Sequence, residues 1–202
     1  YLHYYRNSLS FTGYPYALYT IGSAFVVRAD AYTQQGGMNR RQAGEDFYFL
    51  HKLSQLGAIG EIKTTCVFPS ARISNRVPFG TGPALKKWMD GDEELKETYN
   101  FQAFIDLRSF FDTVPKLYNV SNGQYLELTK NLPKPIAIFL NEDRFYERLE
   151  EINKNSSNVD AFRKRFYQYF NAFKILKFLN FSHPSFYLKQ DLIEAERIVE
   201  EQ

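Results

Sequence analysis

The 202-residue sequence predicts an α/β fold for its first part: a partial mixed sheet with flanking helices, followed by a mostly α-helical C-terminal region. Three observations lead to this. Short apolar runs such as Ala24-Phe25-Val26-Val27 alternate with glycine-punctuated helical stretches in the first part of the chain. Most of the eleven glycines precede residue 90, whereas long periodic segments rich in Phe, Leu, Lys and Glu follow it. Hydrophobic residues make up 44% and aromatic residues 17%, which excludes disorder and is enough for a real core. The composition shift places two domains at residues 1–88 and 89–202.

The elements follow in order. Residues 1–20 are rich in Tyr, and Gly13 and Pro15 break any helix there. Ala24 to Val27 reads as a buried strand. A short helix from about Ala29 ends at Gly36-Gly37. Gly44 then precedes Glu45-Asp46, and Phe47, Leu50, Leu53 and Leu56 follow at helical spacing before Gly57. Ile59–Ile62 and Thr64–Phe68 read as a strand pair, and Ser70–Pro83 as a loop. In the second half, Phe101, Phe104, Ile105, Leu107 and Phe111 mark one helix. Pro135 opens another. Asn158 caps a helix carrying Phe162, Phe166, Tyr169, Phe170, Phe173 and Leu176 on one face. Pro184 ends it, and a final charged helix starts near Ser185.

Composition also excludes whole classes. The net charge of +2 is a poor match to electrostatically driven nucleic-acid binding. The single cysteine, Cys66, excludes an internal disulfide framework and a cysteine-rich zinc site, and it suits a reducing, cytoplasmic compartment. No apolar run approaches the roughly 20 residues of a spanning helix. The chain opens without Met and without a basic-then-apolar leader, which reads as a processed or truncated chain.

Two segments carry candidate chemistry. Glu45 and Asp46 open a helix, where the dipole keeps carboxylates ionised, as a general base requires. Acidic first turns also serve helix stability alone. Arg72 and Arg76 precede the turn Gly80-Thr81-Gly82; guanidinium forks and glycine-exposed backbone donors suit an anion such as phosphate. The same composition suits an ordinary surface loop, and neither a P-loop nor a dinucleotide fingerprint is present. His3, His51 and His183 lack metal-ligand spacing. Asp90-Gly91-Asp92 spells Asp-x-Asp but reads as a turn between domains, so no metal ligands are assigned.

The order Ile21-Gly22-Ser23-Ala24-Phe25-Val26-Val27-Arg28, Gly36-Gly37-Met38-Asn39, Gly44-Glu45-Asp46, Lys52-Leu53 and Gly57 resembles the acceptor-side half of a family 2 glycosyltransferase with a GT-A fold. Arg72-x-Ser74-x-Arg76 and Phe79-Gly80-Thr81-Gly82 resemble a bacterial branch of that family, whose products are cell-surface polysaccharides. The resemblance covers the first 85 residues. It implies Asp46 as the catalytic base toward an acceptor hydroxyl, Glu45 as its support or an acceptor ligand, and inversion at the anomeric carbon of a nucleotide-sugar. Arg72, Arg76 and Gly80–Gly82 are then expected near the leaving diphosphate.

The sequence departs from the family in two ways. The nucleotide-binding half, with its Asp-x-Asp motif for Mg²⁺ or Mn²⁺, has no counterpart before Ile21, and Val67-Phe68-Pro69-Ser70 lacks the His often found there. The expectation is thus a glycosyltransferase fragment, inactive alone. Its partners would be a nucleotide-sugar and a carbohydrate or lipid-linked acceptor, with peripheral contact at the inner face of the membrane. An open sheet edge would favour a homo-oligomer. The competing readings are a non-enzymatic helical interaction module and a membrane-surface module. The latter would dock through the helix from Phe162, whose aromatic face is flanked by Arg163, Lys164, Arg165, Lys174 and Lys177.

Overall fold

The computed structural model describes residues 1–19, 24–39, 44–57, 59–62, 64–68, 73 and 80–201. Its helices are α1 (Leu2–Phe11), α2 (Ala29–Gln34), α3 (Glu45–Ser54), α4 (Thr81–Met89), α5 (Phe101–Phe111), α6 (Asn122–Lys130), α7 (Lys134–Glu142), α8 (Phe145–Lys154), α9 (Val159–Tyr169), α10 (Ala172–Ser182) and α11 (Leu192–Glu200). Two short strands, β1 (Glu97–Thr98) and β2 (Gln190–Asp191), and two 3-10 turns, Glu93–Lys96 and Val114–Leu117, complete the described elements. The chain divides into two units, one of Tyr1–Ala17 with Glu97–Gln202 and one of Leu18–Lys96.

The α/β class expected for the first part is corrected by this structure. Among the described residues the strands form one two-stranded antiparallel sheet, pairing Glu97 with Asp191 and Thr98 with Gln190, and the rest is mostly helical. No GT-A-like mixed sheet is present among them. Phe25 and Val27 are half-buried while Val26 is 86% exposed, so the run alternates as a strand would. It has no ladder partner among the described residues and packs instead against helix α3. Ile59–Ile62 and the run to Phe68 likewise form no strand, and Ile62, Val67 and Phe68 are exposed. β-propensity reports fit to a pleated, half-covered surface, and short apolar runs realise it only where a neighbouring strand pairs with them. The edge of a mixed sheet, from which self-association is expected, is not found among the described residues.

In the Leu18–Lys96 unit, Phe49, Leu50 and Leu53 of α3 form a small core onto which Phe25, Val27, Ala31 and Met38 pack. The ring of Phe49 lies 5.2 Å from that of Tyr32. Helix α2 ends in Gly36 and Gly37, both left-handed at φ 71° and 72°. A Cβ on Gly37 would meet the Tyr32 ring at 3.0 Å. Gly37 is thus required by both its backbone conformation and its neighbour.

The other unit is a helical domain built round α5, whose Phe101, Ala103, Phe104, Leu107, Phe110 and Phe111 are all buried. Phe110 touches the rings of Phe145, Phe166 and Phe170, at 5.6, 5.8 and 5.1 Å. Ile105, counted with the core face in the sequence, lies at the surface, 36% exposed. Helix α1 packs on α5 and α11, α7 on α5, α8 and α10, and α8 on α9.

The long helix expected from Asn158 is two helices. Asn158 does cap α9, accepting the Ala161 N–H at 2.8 Å. The chain then turns at Phe170 (φ −84°, ψ 60°), and the Asn171 carboxamide accepts the N–H groups of Phe173 and Lys174, starting α10. The turn rotates the apolar face, so Ile175, Phe178 and Leu179 are buried and Phe173 and Leu176 only half-buried. The final helix starts at Leu192, later than expected, because Asp191 caps it by accepting the Ile193 and Glu194 N–H groups. Among the described residues, no helix is long and apolar enough to cross a membrane.

Candidate functional site

The glycine-acid step before α3 is the best-defined part of the sequence-derived site. Gly44 is left-handed (φ 75°, ψ 10°) and N-caps α3 without a side chain of its own. Glu45 and Asp46 are the first two residues of the helix. Both are half-buried. One carboxylate oxygen of Asp46 (Oδ1) accepts the Phe47 N–H at 2.7 Å, so its charge sits on the positive end of the α3 dipole. One turn further in, Phe49, Leu50 and Leu53 anchor the helix, which ties Asp46 to the same small core that seats the Gly36–Gly37 turn.

His51 lies on this helix, 7% exposed, with its ring edge-on to Phe47 at 4.5 Å. Burial pushes its pKa down to about 4. At neutral pH it is an uncharged packing residue. Arg28, at the end of the apolar run, forks onto Asp30 with two bonds of 3.0 Å in full solvent.

The second candidate segment is only partly described. Arg72 and Arg76 lie outside the described residues. Gly80 (φ 112°, ψ −165°) N-caps α4, and Thr81 and Gly82 are the first two helical residues, where the sequence reads a loop up to Pro83. Pro83 is compatible with a first turn because the N–H it lacks has no intrahelical partner there. The Gly-Thr-Gly turn is therefore a helix start on a different helix from Asp46, with backbone N–H groups at a positive dipole end.

Asp90-Gly91-Asp92 does not fit a cation. Gly91 is a left-handed turn residue at φ 77°. The Asp92 carboxylate is engaged, accepting the Glu94 N–H at 3.0 Å and pairing with the Lys87 ammonium at 3.3 Å. Among the described residues, no three His, Cys, Asp or Glu side chains converge as metal ligands would.

The helical unit brings together polar groups that the sequence shows only singly, as Tyr169 and Lys174, or does not mark at all, as Asp143 and Asp106. Asp143, at the end of α7, accepts the Tyr169 hydroxyl and the Lys174 ammonium, each at 2.6 Å. The Lys174 nitrogen also lies 4.6 Å over the Tyr169 ring. These residues are too far apart in sequence for any local pattern to show the cluster. Asp106, 1% exposed in the middle of α5, accepts the Tyr187 hydroxyl at 2.7 Å. Burial pushes its carboxyl above the ordinary range. A groove between α8 and α9 is lined by two helical stripes, Arg148, Glu151, Ile152 and Asn155 from one side and Arg165, Gln168 and Tyr169 from the other. Their spacings of three, four and seven residues are legible in the sequence, where only the basic run 163–165 stands out.

Comparison with models of protein families, with curated proteins and with solved structures finds no match to this chain.

Proposed function

We propose that this chain carries the acceptor side of an inverting glycosyltransferase, with Asp46 as general base. The observation behind the reading is the Gly44-Glu45-Asp46 step. A left-handed glycine delivers two half-buried carboxylates as the first turn of α3, on the core that also seats the Gly36–Gly37 turn. The family resemblance rests on the same residues in the same order. In this reading Asp46 takes the proton of an acceptor hydroxyl. The hydroxyl oxygen forms a bond to the anomeric carbon while the bond from that carbon to the diphosphate oxygen breaks, so configuration inverts and a nucleoside diphosphate leaves. Glu45 binds the acceptor or supports Asp46. The N–H groups at the start of α4, with Arg72 and Arg76, offset charge on the leaving group. The donor-binding half, with any Mg²⁺ or Mn²⁺, is supplied from outside these 202 residues, and the chain alone turns over nothing.

The test is nucleoside diphosphate release from a panel of nucleotide-sugars by the chain in its full reading frame, beside Asp46→Asn. Loss of a positioned general base lowers turnover by about 10²-fold or more. Release that persists in the variant removes Asp46 from the mechanism. Absence of release with every donor removes the enzyme reading and leaves the non-enzymatic interaction module. That second reading draws on the closed aromatic core round α5. The membrane-surface variant of it has less support, because the aromatic face of α9 is spent on that core through Phe162, Phe166 and Tyr167.

A further inference from the structure

We propose that the groove between α8 and α9 binds a phosphate monoester of a hydroxylated compound. The groove is open to solvent on one side and offers about 330 Å³, the lower end of the range for small-ligand sites. Its two walls are helical faces, so the donors project from rigid elements.

The charges favour an anion. Arg148 and Glu151 form an exposed pair at 2.9 Å, which neutralises the carboxylate and leaves further guanidinium N–H groups of Arg148 available. Arg165 stands opposite with no carboxylate partner among the described residues, so the groove carries one net positive charge. Arg163 and Lys164, both exposed on α9, raise the potential beside it, and Glu147 and Glu150 on α8 offset part of that. Two guanidinium groups facing one space match a phosphate, whose oxygens accept forked N–H pairs.

The remaining lining suits the ester's organic part. Gln168 offers an amide, Glu151 an acceptor for hydroxyl groups, and Ile152 an apolar floor. Tyr169 forms a fixed end wall, since Asp143 and Lys174 hold its hydroxyl from behind. The site lies wholly in the helical unit and does not depend on Asp46.

The same phosphate chemistry is carried by a free sugar phosphate or by a lipid headgroup, and separate arms distinguish them. Calorimetric titration of the full chain with glucose 1-phosphate, with glucose as control, is compared with co-sedimentation on vesicles containing phosphatidylinositol 4-phosphate, whose headgroup carries a phosphate monoester on a hydroxylated ring. Each arm uses wild type, Arg165→Ala and Arg163→Ala. Both arginines are exposed on α9 and carry the same charge, but only Arg165 lines the groove, and neither change disturbs the core. Saturable binding of glucose 1-phosphate, weakened about tenfold by Arg165→Ala and unchanged by Arg163→Ala, is the expected result. Vesicle binding with that same selectivity supports the site with a lipid as its source. Equal weakening by both variants, equal binding of glucose, or no binding to either probe overturns the proposal.

Discussion

The imidazole of His183 accepts the backbone N–H of Asn100 through Nε2 at 2.9 Å and faces the Leu179 carbonyl through Nδ1 at 2.8 Å. Only the neutral tautomer with its proton on Nδ1 satisfies both bonds. One ring thereby ties the end of α10 to the start of α5, across 83 residues of sequence. Protonating Nε2 would set two N–H donors against each other in a site 9% exposed.

Acid should therefore weaken this junction. Burial lowers the folded-state pKa of His183 below the ordinary 6.5. The unfolded chain then binds more protons as pH drops below 6.5. Stability is full above that value and is lost as pH falls towards the folded pKa. His51 acts with the same sign in the other unit, down to about pH 4. Amide exchange at Asn100 measures the His183 part alone. The protection factor there should fall as pH drops below 6.5 in wild type, and His183→Ala should lose protection at every pH.

The break between α9 and α10 predicts a capping cost. Asn171 satisfies two backbone N–H groups at the start of α10. Asn171→Ala should cost about 1 kcal/mol in urea unfolding, within the usual range for a lost cap. A negligible change would mean that packing alone sets the break.

The aromatic core predicts a larger effect. Phe110 is 1% exposed among four other Phe rings, those of Phe111, Phe145, Phe166 and Phe170. Phe110→Ala should cost roughly 3–5 kcal/mol. Ile105→Ala, on the same helix but at the surface, should cost under about 1 kcal/mol, which a matched pair of denaturation curves will show.

These positions also show what the sequence made legible. Helix periodicity marked Phe101, Phe104, Leu107 and Phe111 because a helix makes its own hydrogen bonds, so its pattern is local. The Asn158 cap and the Gly44 step were legible for the same reason: cap and helix are neighbours in sequence. The strands were misread because pairing is not local. Val26 sits in an apolar run, yet its exposure depends on whether another strand lies alongside. The sheet that does form joins Thr98 to Gln190, two residues with no apolar pattern. The Asp143–Tyr169–Lys174 cluster was hidden likewise, since three helices bring it together. In the candidate site, the Glu45–Asp46 helix start was anticipated, whereas the α4 start at Thr81 was masked by the glycines and proline around it.

The two glycines after α2 offer a paired test. Gly36 and Gly37 have nearly the same left-handed φ, but a Cβ meets Tyr32 only at Gly37. Gly36→Ala should cost the left-handed strain alone, about 1–2 kcal/mol. Gly37→Ala should cost that and the displacement of the Tyr32 ring, and Tyr32→Ala should remove the difference. Equal costs for the two glycines would show that the ring moves freely.

Asp143 and Lys174 supply the last prediction. Their side chains are 20% and 14% exposed, so each charge is largely removed from water and relies on the other. Asp143→Ala leaves the Lys174 ammonium with only the Tyr169 hydroxyl and ring, at 3.3 and 4.6 Å. Breaking a fully buried pair costs about 3–5 kcal/mol, and the residual exposure here places the loss nearer 2–3 kcal/mol. Lys174→Met leaves Asp143 with the Tyr169 hydroxyl and should cost less, since Met fills the same space and the carboxylate keeps one donor. In the double variant both charges are gone, and its cost should fall below the sum of the two single changes by at least about 1 kcal/mol. Simple additivity in urea unfolding would mean that the two groups do not depend on each other.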